Sequence, residues 1–481
     1  MKKIALFLTF MAVTISSCTD DITGLNEDTK NPTTTKSEYL FTNAQKAMSD
    51  QMVNTSVNLN VFRLFTQQWT ETTYLDETQY NITTRNIPNS HWGIIYRDVL
   101  RDFLECKKLL DQETPATTKE IAILNNKKAI LEIMSVYSYS VLVDTFGNIP
   151  YSEALDIIGH PQPKYDDAQT IYRDLISRLT AASAAITASE ESFGTADLYY
   201  EGDAASWKKF ANSLKLRLAI NMDDTDHTYA STQVSEAVAQ GILTSNADNA
   251  LIHYVAAEAN NVNPIYNDLV ASGRNDYVIG KTFVDAMNSL NDPRRPKYMT
   301  TVGGSYIGGT IGATNSYASY SHVNAEITKK DFPGTLLSYS EVEFLLAEAA
   351  ARGISVGGTA VDHYNAAITA SMKEWGVASG DINSYLEQSS VEYNPANWKK
   401  SIGEQAWIAL YNRGFESWTS YRRLDYPNLL PSLNPYNDLT AVPTRYSYPA
   451  REQTLNATNV EAAITAIGGD GLTVKIFWDK Y

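Results

Sequence analysis

In the stretch SYSEVEFLLAEAAARG (338–353) the apolar residues Val342, Leu345, Leu346 and Ala349 recur three or four positions apart. That spacing places them on one face of an α-helix. Ser338 and Glu341 stand as S-x-x-E, a capping-box pattern, and Gly353 ends the element. After a glycine-rich turn, Val361, Tyr364, Ile368 and Trp375 mark a second helix, with Gly376 at its C′ position. The same period runs through Ile130, Ile133, Met134, Tyr137 and Val141, ahead of Gly147 and Pro150. It returns in Ile171, Tyr172, Leu175, Ile176 and Leu179, and again in Trp207, Phe210, Leu214 and Leu218 behind Asp203 as N-cap. A helix with one apolar stripe must bury it against a neighbour, so the chain is expected to be mainly α, built helix on helix.

Two amphipathic helices in a little under 40 residues match the size of a tetratricopeptide repeat, without its strict consensus. Between 240 and 335 the helical stripes fade, except at 281–290, and Gly, Asn, Ser and Thr become frequent. The segment TTVGGSYIGGTIGATNSYASYSH (300–322) interleaves glycine with Tyr306, Tyr317 and Tyr320. A loop of that length in a compact domain is functional or disordered, and its aromatic content argues for order. The tail from Pro427 is irregular, with LTVKIFWDKY (472–481) reading as one edge strand.

The formal charge of −16 excludes nucleic acid and anionic lipid as natural partners. The six histidines are scattered, no H-E-x-x-H occurs, and GGSYI is not a G-x-S-x-G elbow. The glycine-rich run lacks the G-K-[ST] of a P-loop. DDTDH (223–227) lacks calcium-loop spacing and reads as a helix end. The expectation is therefore a non-enzymatic protein with no cofactor and no metal site.

At the start, Lys2 and Lys3 precede an apolar run over 4–15, too short for a membrane span of about 20 residues. Ser16 and Ser17 then lead into Cys18. This resembles a bacterial lipobox, which makes 1–17 a signal peptide and Cys18 the acylated first residue. Asp20 and Asp21 resemble the surface-export signal of Bacteroidetes lipoproteins, and 18–37 reads as a polar, flexible leader. The other cysteine, Cys106, shares a helical face with Leu100, Phe103 and Leu110 and reads as a small buried hydrophobe.

Behind that start, the blocks LNEDTKNPTTT, FTQQWTETTYLDETQY, DTFGNIPYSEAL, WKKFANSLKLRLAI, NDPRRPKY, SYSEVEFLLAEAAARG, EQAWIALYNRGFESWTSYRRLDYP and VPTRYSYPAREQTLN follow in order. Together they resemble the SusD-like (SusD/RagB) family of outer-membrane nutrient-binding lipoproteins. The resemblance implies one domain over 38–481, with four TPR-like helix pairs packed against a loop-rich, ligand-side region at about 240–335 and little β structure. It implies capture of a nutrient, an oligosaccharide or other small ligand, as a lid on a SusC-like TonB-dependent transporter barrel. A peptide-binding member and a surface glycoside hydrolase are the alternatives. Trp207, Phe210, Leu214, Trp407, Tyr411 and Trp418 fall on apolar stripes and read as core. Arg422 and Arg423 are expected to pair with buried acids such as Glu416. The ligand-side candidates are Trp69, Tyr74 and Tyr80 in the early aromatic stretch, Asn263, Tyr266, Arg274 and Asp276 in NVNPIYNDLVASGRND, and Tyr306, Tyr317 and Tyr320 in the glycine-rich loop.

Acylation of Cys18 has a direct test. One myristoyl-sized chain holds a protein to a membrane only marginally, with K of about 10⁴ M⁻¹, whereas bacterial lipoproteins carry two or three chains. The wild type should stay with membranes through a detergent-free wash, and Cys18→Ala should appear in the soluble fraction. An unmodified N-terminus upstream of Cys18 by mass spectrometry would refute it.

Overall fold

The computed structural model describes residues 35–481; Cys18, Asp20, Asp21 and most of the leader lie outside the described residues. Helices dominate and pair along the chain. Ser37–Val53 (α1) packs on Arg101–Leu110 (α2) and on the π-helical segment Ile94–Leu100 that feeds it. Thr118–Phe146 (α3) packs on Ala168–Ala185 (α4), Ala204–Asn221 (α5) on His227–Gln240 (α6), and Tyr339–Ala351 (α7) on Ala360–Glu374 (α8). These are the four TPR-like pairs. Trp398–Ala409 (α9) and Gly414–Leu424 (α10) then close against α7 and against the short helix Phe62–Phe65.

Local chemistry explains the boundaries. Thr117 and Glu120 form a reciprocal capping box on α3, as Thr359 and Asp362 do on α8. Asp167, Asp203 and Asp226 accept from the first-turn amides of α4, α5 and α6, each satisfying a donor that has no partner inside its helix. DDTDH is thus a helix junction: Asp226 caps α6, while Asp223 and Asp224 pair with Arg352 at 3.0 and 2.6 Å. Gly147 and Gly376 adopt φ of +84° and +69° at the ends of α3 and α8, a conformation that glycine reaches without strain. α3 is apolar enough to cross a membrane by length and composition, but 89% of that window is buried inside the protein.

One contiguous apolar core runs from Phe41 to Trp478, with a second cluster between α7, α8 and α9. Trp207, Phe210, Leu214, Trp407, Tyr411 and Trp418 are all within it, and Cys106 is fully buried with its thiol donating to Ser37 O at 3.3 Å. Burial pushes that thiol up to about 12.

Four expectations are corrected. The tail from Pro427 is not irregular throughout, since Ala450–Leu455 and Ala457–Ala466 are helices. Residues 472–481 form no strand; Ile476 and Trp478 instead plug into the core, and Trp478 Nε1 donates to Asp144 Oδ1 at 2.9 Å. Only half of the expected capping box forms on α7: Ser338 Oγ accepts from Glu341 N, but the Glu341 carboxylate turns away to Arg217 and Arg413, each at 2.6 Å. Among the described residues Arg422 hydrogen-bonds to no carboxylate side chain. Its guanidinium lies 3.5 Å from the Trp418 ring centroid and 4.7 Å from that of Trp478, and donates to Asp144 O and Thr444 O. Burial lowers it to about 10. Arg423 does pair with a buried acid, Glu348, at 2.9 Å.

Among the described residues the strands form three two-stranded antiparallel ladders: Trp69–Glu71 (β1) with Tyr277–Ile279 (β5), Ile149–Pro150 (β2) with Tyr165–Asp166 (β3), and Ala250–Ile252 (β4) with Gly334–Leu337 (β6). The rest of 240–335 is short helical turns, loops and bridges around the helix Lys281–Ser289.

The Glu348 site carries a stability prediction. Glu348 is fully buried and holds both Arg423 and Arg352. Removing one member of a buried pair strands the other charge, at about 3–5 kcal/mol. Thermal or urea denaturation of Glu348→Ala should show a loss of that order, and a loss below about 1 kcal/mol would contradict it.

Candidate functional site

The β1–β5 ladder sets up the site. Its register matches Glu71 with Tyr277, so the chain leaving β1 and the chain entering β5 emerge side by side. Thr72 N donates to Asp276 O at 2.9 Å, and Thr72 Oγ1 to Asn275 O at 2.7 Å. Segments about 200 residues apart are thereby brought to one place, and between them lies a cleft of about 510 Å³. That falls within the range of roughly 300–1,000 Å³ usual for small-ligand sites.

Tyr74 stands over this cleft with 77% of its surface exposed and φ of +58°. A non-glycine residue in the left-handed region costs on the order of 1–3 kcal/mol, and such strain concentrates at binding sites. Arg274 and Asp276 line the cleft as a 3.5 Å ion pair. Glu71, Arg85, Asp268 and the hydroxyls of Thr55 and Ser272 also line it. Arg85 Nε donates to Glu77 Oε1 at 2.6 Å, and Thr55 Oγ1 donates to Asp268 Oδ2 at 2.9 Å. Burial raises Asp268, and burial together with the neighbouring Glu77 raises Glu71 to about 9 despite hydrogen bonds from Thr78. Each guanidinium faces a carboxylate, so the cleft offers paired charges, hydroxyls and one free aromatic face. That surface suits a neutral, hydroxyl-rich ligand.

Of the ten candidates, Tyr74, Arg274 and Asp276 are gathered here. The others are placed elsewhere. Trp69 and Tyr80 are corrected to structural positions. Trp69 is 1% exposed, donates Nε1 to Tyr411 OH at 3.1 Å and packs on Tyr277, while the fully buried Tyr80 accepts from Ser432 N. Asn263 is likewise fully buried. It caps the turn at Ile265 N and donates to Phe332 O at 2.6 Å. Tyr266 is half-buried beneath Lys330, and Tyr306 lies against the core under Arg295, each with the cation over its ring at 5.2 and 5.3 Å. Tyr317 stacks on His322 at 3.7 Å, and Tyr320 is half-buried nearby in sequence. None of these seven lines the cleft. Sequence reasoning missed Thr55, Glu71, Arg85, Asp268 and Ser272. Of these, Glu71 lay inside the quoted aromatic stretch, where an acid beside Thr and Tyr was a usable signal.

The two kinds of aromatic separate experimentally. Tyr74→Ala should change stability by no more than about 0.5 kcal/mol, whereas Trp69→Ala should cost about 3–5 kcal/mol, both read by thermal denaturation. Equal losses would contradict the assignment of Tyr74 to the cleft rather than the core.

Comparison with known proteins places these features. The family model SusD-like_2, described as starch-binding and associating with the outer membrane, matches residues 29–449. No curated protein sequence matches significantly. A solved chitin-binding protein is similar over 93% of this chain and 100% of its own, at 26% identity and a TM-score of 0.80. A SusD-like protein from Bacteroides thetaiotaomicron VPI-5482 is similar over 92% and 98%, at 25% identity and a TM-score of 0.77. A chitin-binding SusD homologue from Flavobacterium johnsoniae shares the fold over 92% and 99%, at 24% identity and a TM-score of 0.78. Helix pairs, loop-rich face and sequence blocks agree, and the chain belongs to the SusD-like family of outer-membrane nutrient-binding proteins.

Proposed function

We propose that the protein captures a neutral oligosaccharide in the Tyr74 cleft and delivers it, uncleaved, to a SusC-like TonB-dependent transporter. In this reading Cys18 is acylated, the polar leader is a tether, and the chain from residue 38 acts as one domain, a lid over the barrel at the cell surface. The family description supports the outer membrane, the resemblance of the sequence blocks suggests the transporter partner, and the similar chitin-binding protein supports a glycan. The observation that carries the reading is the exposed ring of Tyr74 beside paired charges and hydroxyls. A tyrosine face stacks on a sugar ring while its hydroxyl bonds to the sugar's own. With one such face, affinity should fall between micromolar and millimolar, where 1 mM is about −4.1 kcal/mol.

Calorimetry against chitotriose and maltotriose tests this. One of them should bind in that range, and Tyr74→Ala should weaken it by about threefold to tenfold, the equivalent of roughly 0.5–1.5 kcal/mol. The sugar should be recovered intact. Absence of heat with both sugars, or shortened products, would overturn the proposal.

A further inference from the structure

Beneath Tyr74 two glutamates meet. Residues 72–77 form a loop that leaves β1 at Glu71 and returns at Thr78. Glu71 Oε2 accepts from Thr78 N at 2.9 Å and from Thr78 Oγ1 at 2.6 Å, while Glu71 N donates to Thr78 Oγ1 at 3.3 Å. Glu77, at the returning end, is fully buried and next in the chain to Thr78, which holds the Glu71 carboxyl, so the two glutamates act on each other's protonation. The loop bearing Tyr74 is therefore clasped at its base by the Glu71 carboxyl.

The Glu77 carboxylate poses a chemical question. Its Oε1 accepts from Arg85 Nε, but its Oε2 is enclosed and has no N–H or O–H partner among the described residues. An enclosed acceptor left unmade costs about 1–3 kcal/mol, more when charged. Two ionised carboxylates in contact would add repulsion. Both difficulties vanish if one proton sits between them. Arg85 favours the charge on Glu77, so the proton belongs on Glu71, which then donates to the orphaned oxygen.

We propose that Glu71 and Glu77 share a single proton, and that this protonated pair positions Tyr74 over the cleft until loss of the proton sets two buried carboxylates against each other at the base of its loop. Glu71 is a positioning residue in this account; Tyr74 makes the contact. The other ionisable groups facing the pair do not supply the missing donor. Arg85 is committed to Glu77 Oε1, Tyr277 from β5 donates its phenol to Thr55 O, Asp268 accepts from Thr55, and Arg274 faces Asp276. Burial raises both Glu71 and Glu77, in keeping with a retained proton.

The sign of the pH dependence follows. Burial, reinforced by the neighbouring Glu77, raises the folded Glu71 from the ordinary 4.5 to about 9. Between those values the folded state holds one proton more than the unfolded state, so its contribution to stability is complete below about pH 4.5, declines as pH rises and is gone above about 9. Relative to Glu71→Gln, which mimics the protonated acid permanently, the folding equilibrium constant of the wild type should fall by about tenfold per pH unit across that window.

Three measurements on the purified protein decide it. The infrared difference between wild type and Glu71→Gln at pH 7.5 should show the carbonyl band of a protonated carboxylic acid in the wild type; no such band overturns the proposal. Parallel stability–pH curves for the two proteins overturn it as well. If Glu71→Gln fails to fold, Glu77→Gln reads the same proton, because its amide can donate to an ionised Glu71: the band should be gone at pH 7.5, and its survival refutes the pair. Chitotriose or maltotriose affinity should collapse above about pH 9 in the wild type but not in Glu71→Gln, and equal pH profiles refute the positioning role. This last arm rests on the cleft being the glycan site. The first two do not, so a protein that binds neither sugar yet shows the band would sink the glycan reading and leave the shared proton standing.

Discussion

Glu341 is held by two arginines from distant parts of the chain, Arg217 on α5 and Arg413 at the entrance to α10. Both guanidiniums also donate to Leu336 O in β6, and Arg413 reaches Ser338 Oγ and faces Glu416 at 3.7 Å. The group is buried, and buried charges persist only when paired and hydrogen-bonded. Burial alone would raise Glu341, yet Arg217 and Arg413 together bring it below its ordinary range. The third helix pair, the β4–β6 ladder, the fourth pair and the closing helices therefore share one electrostatic knot. That need overrides the local preference of a capping box and explains why the Glu341 side chain abandons the start of its own helix.

A second buried arginine carries this order out to the cleft. Arg63 donates to Val53 O and Asn54 O at the end of α1 and to Asn412 O and Oδ1 just before α10, and its guanidinium lies 5.3 Å from the Trp69 ring centroid. Burial lowers it to about 10. The residues that follow its anchor points, Thr55 and Ser56, are cleft wall. The helical scaffold thus fixes the rim of the cleft through main-chain carbonyls rather than through the side chains that line it.

Most of the helices were legible because a 3.6-residue period, an N-terminal Asp, Ser or Thr and a C-terminal Gly all point to the same element. The loops were not legible in that way. In WTETTY the aromatic type is visible, but a three-residue strand is too short to reveal which ring points inward; Trp69 serves the core and Tyr74 the surface. Asn263 looked like a polar loop residue and proved to be a turn cap. Arg422 showed its charge but not the two indoles that flank it, since Trp478 arrives from the far end of the chain. The cleft itself depends on the pairing of Glu71 with Tyr277, and no local pattern encodes a partner that distant.

That long-range pairing also has a consequence for how the chain becomes competent. Helix pairs close from neighbouring residues, but the β1–β5 ladder must wait for a strand about 200 positions downstream. Contacts of such separation form late, after local structure has repaid part of the chain entropy. The folding chain therefore passes through a stage with helix pairs formed and no cleft at all, and it is unable to take up ligand until that ladder closes.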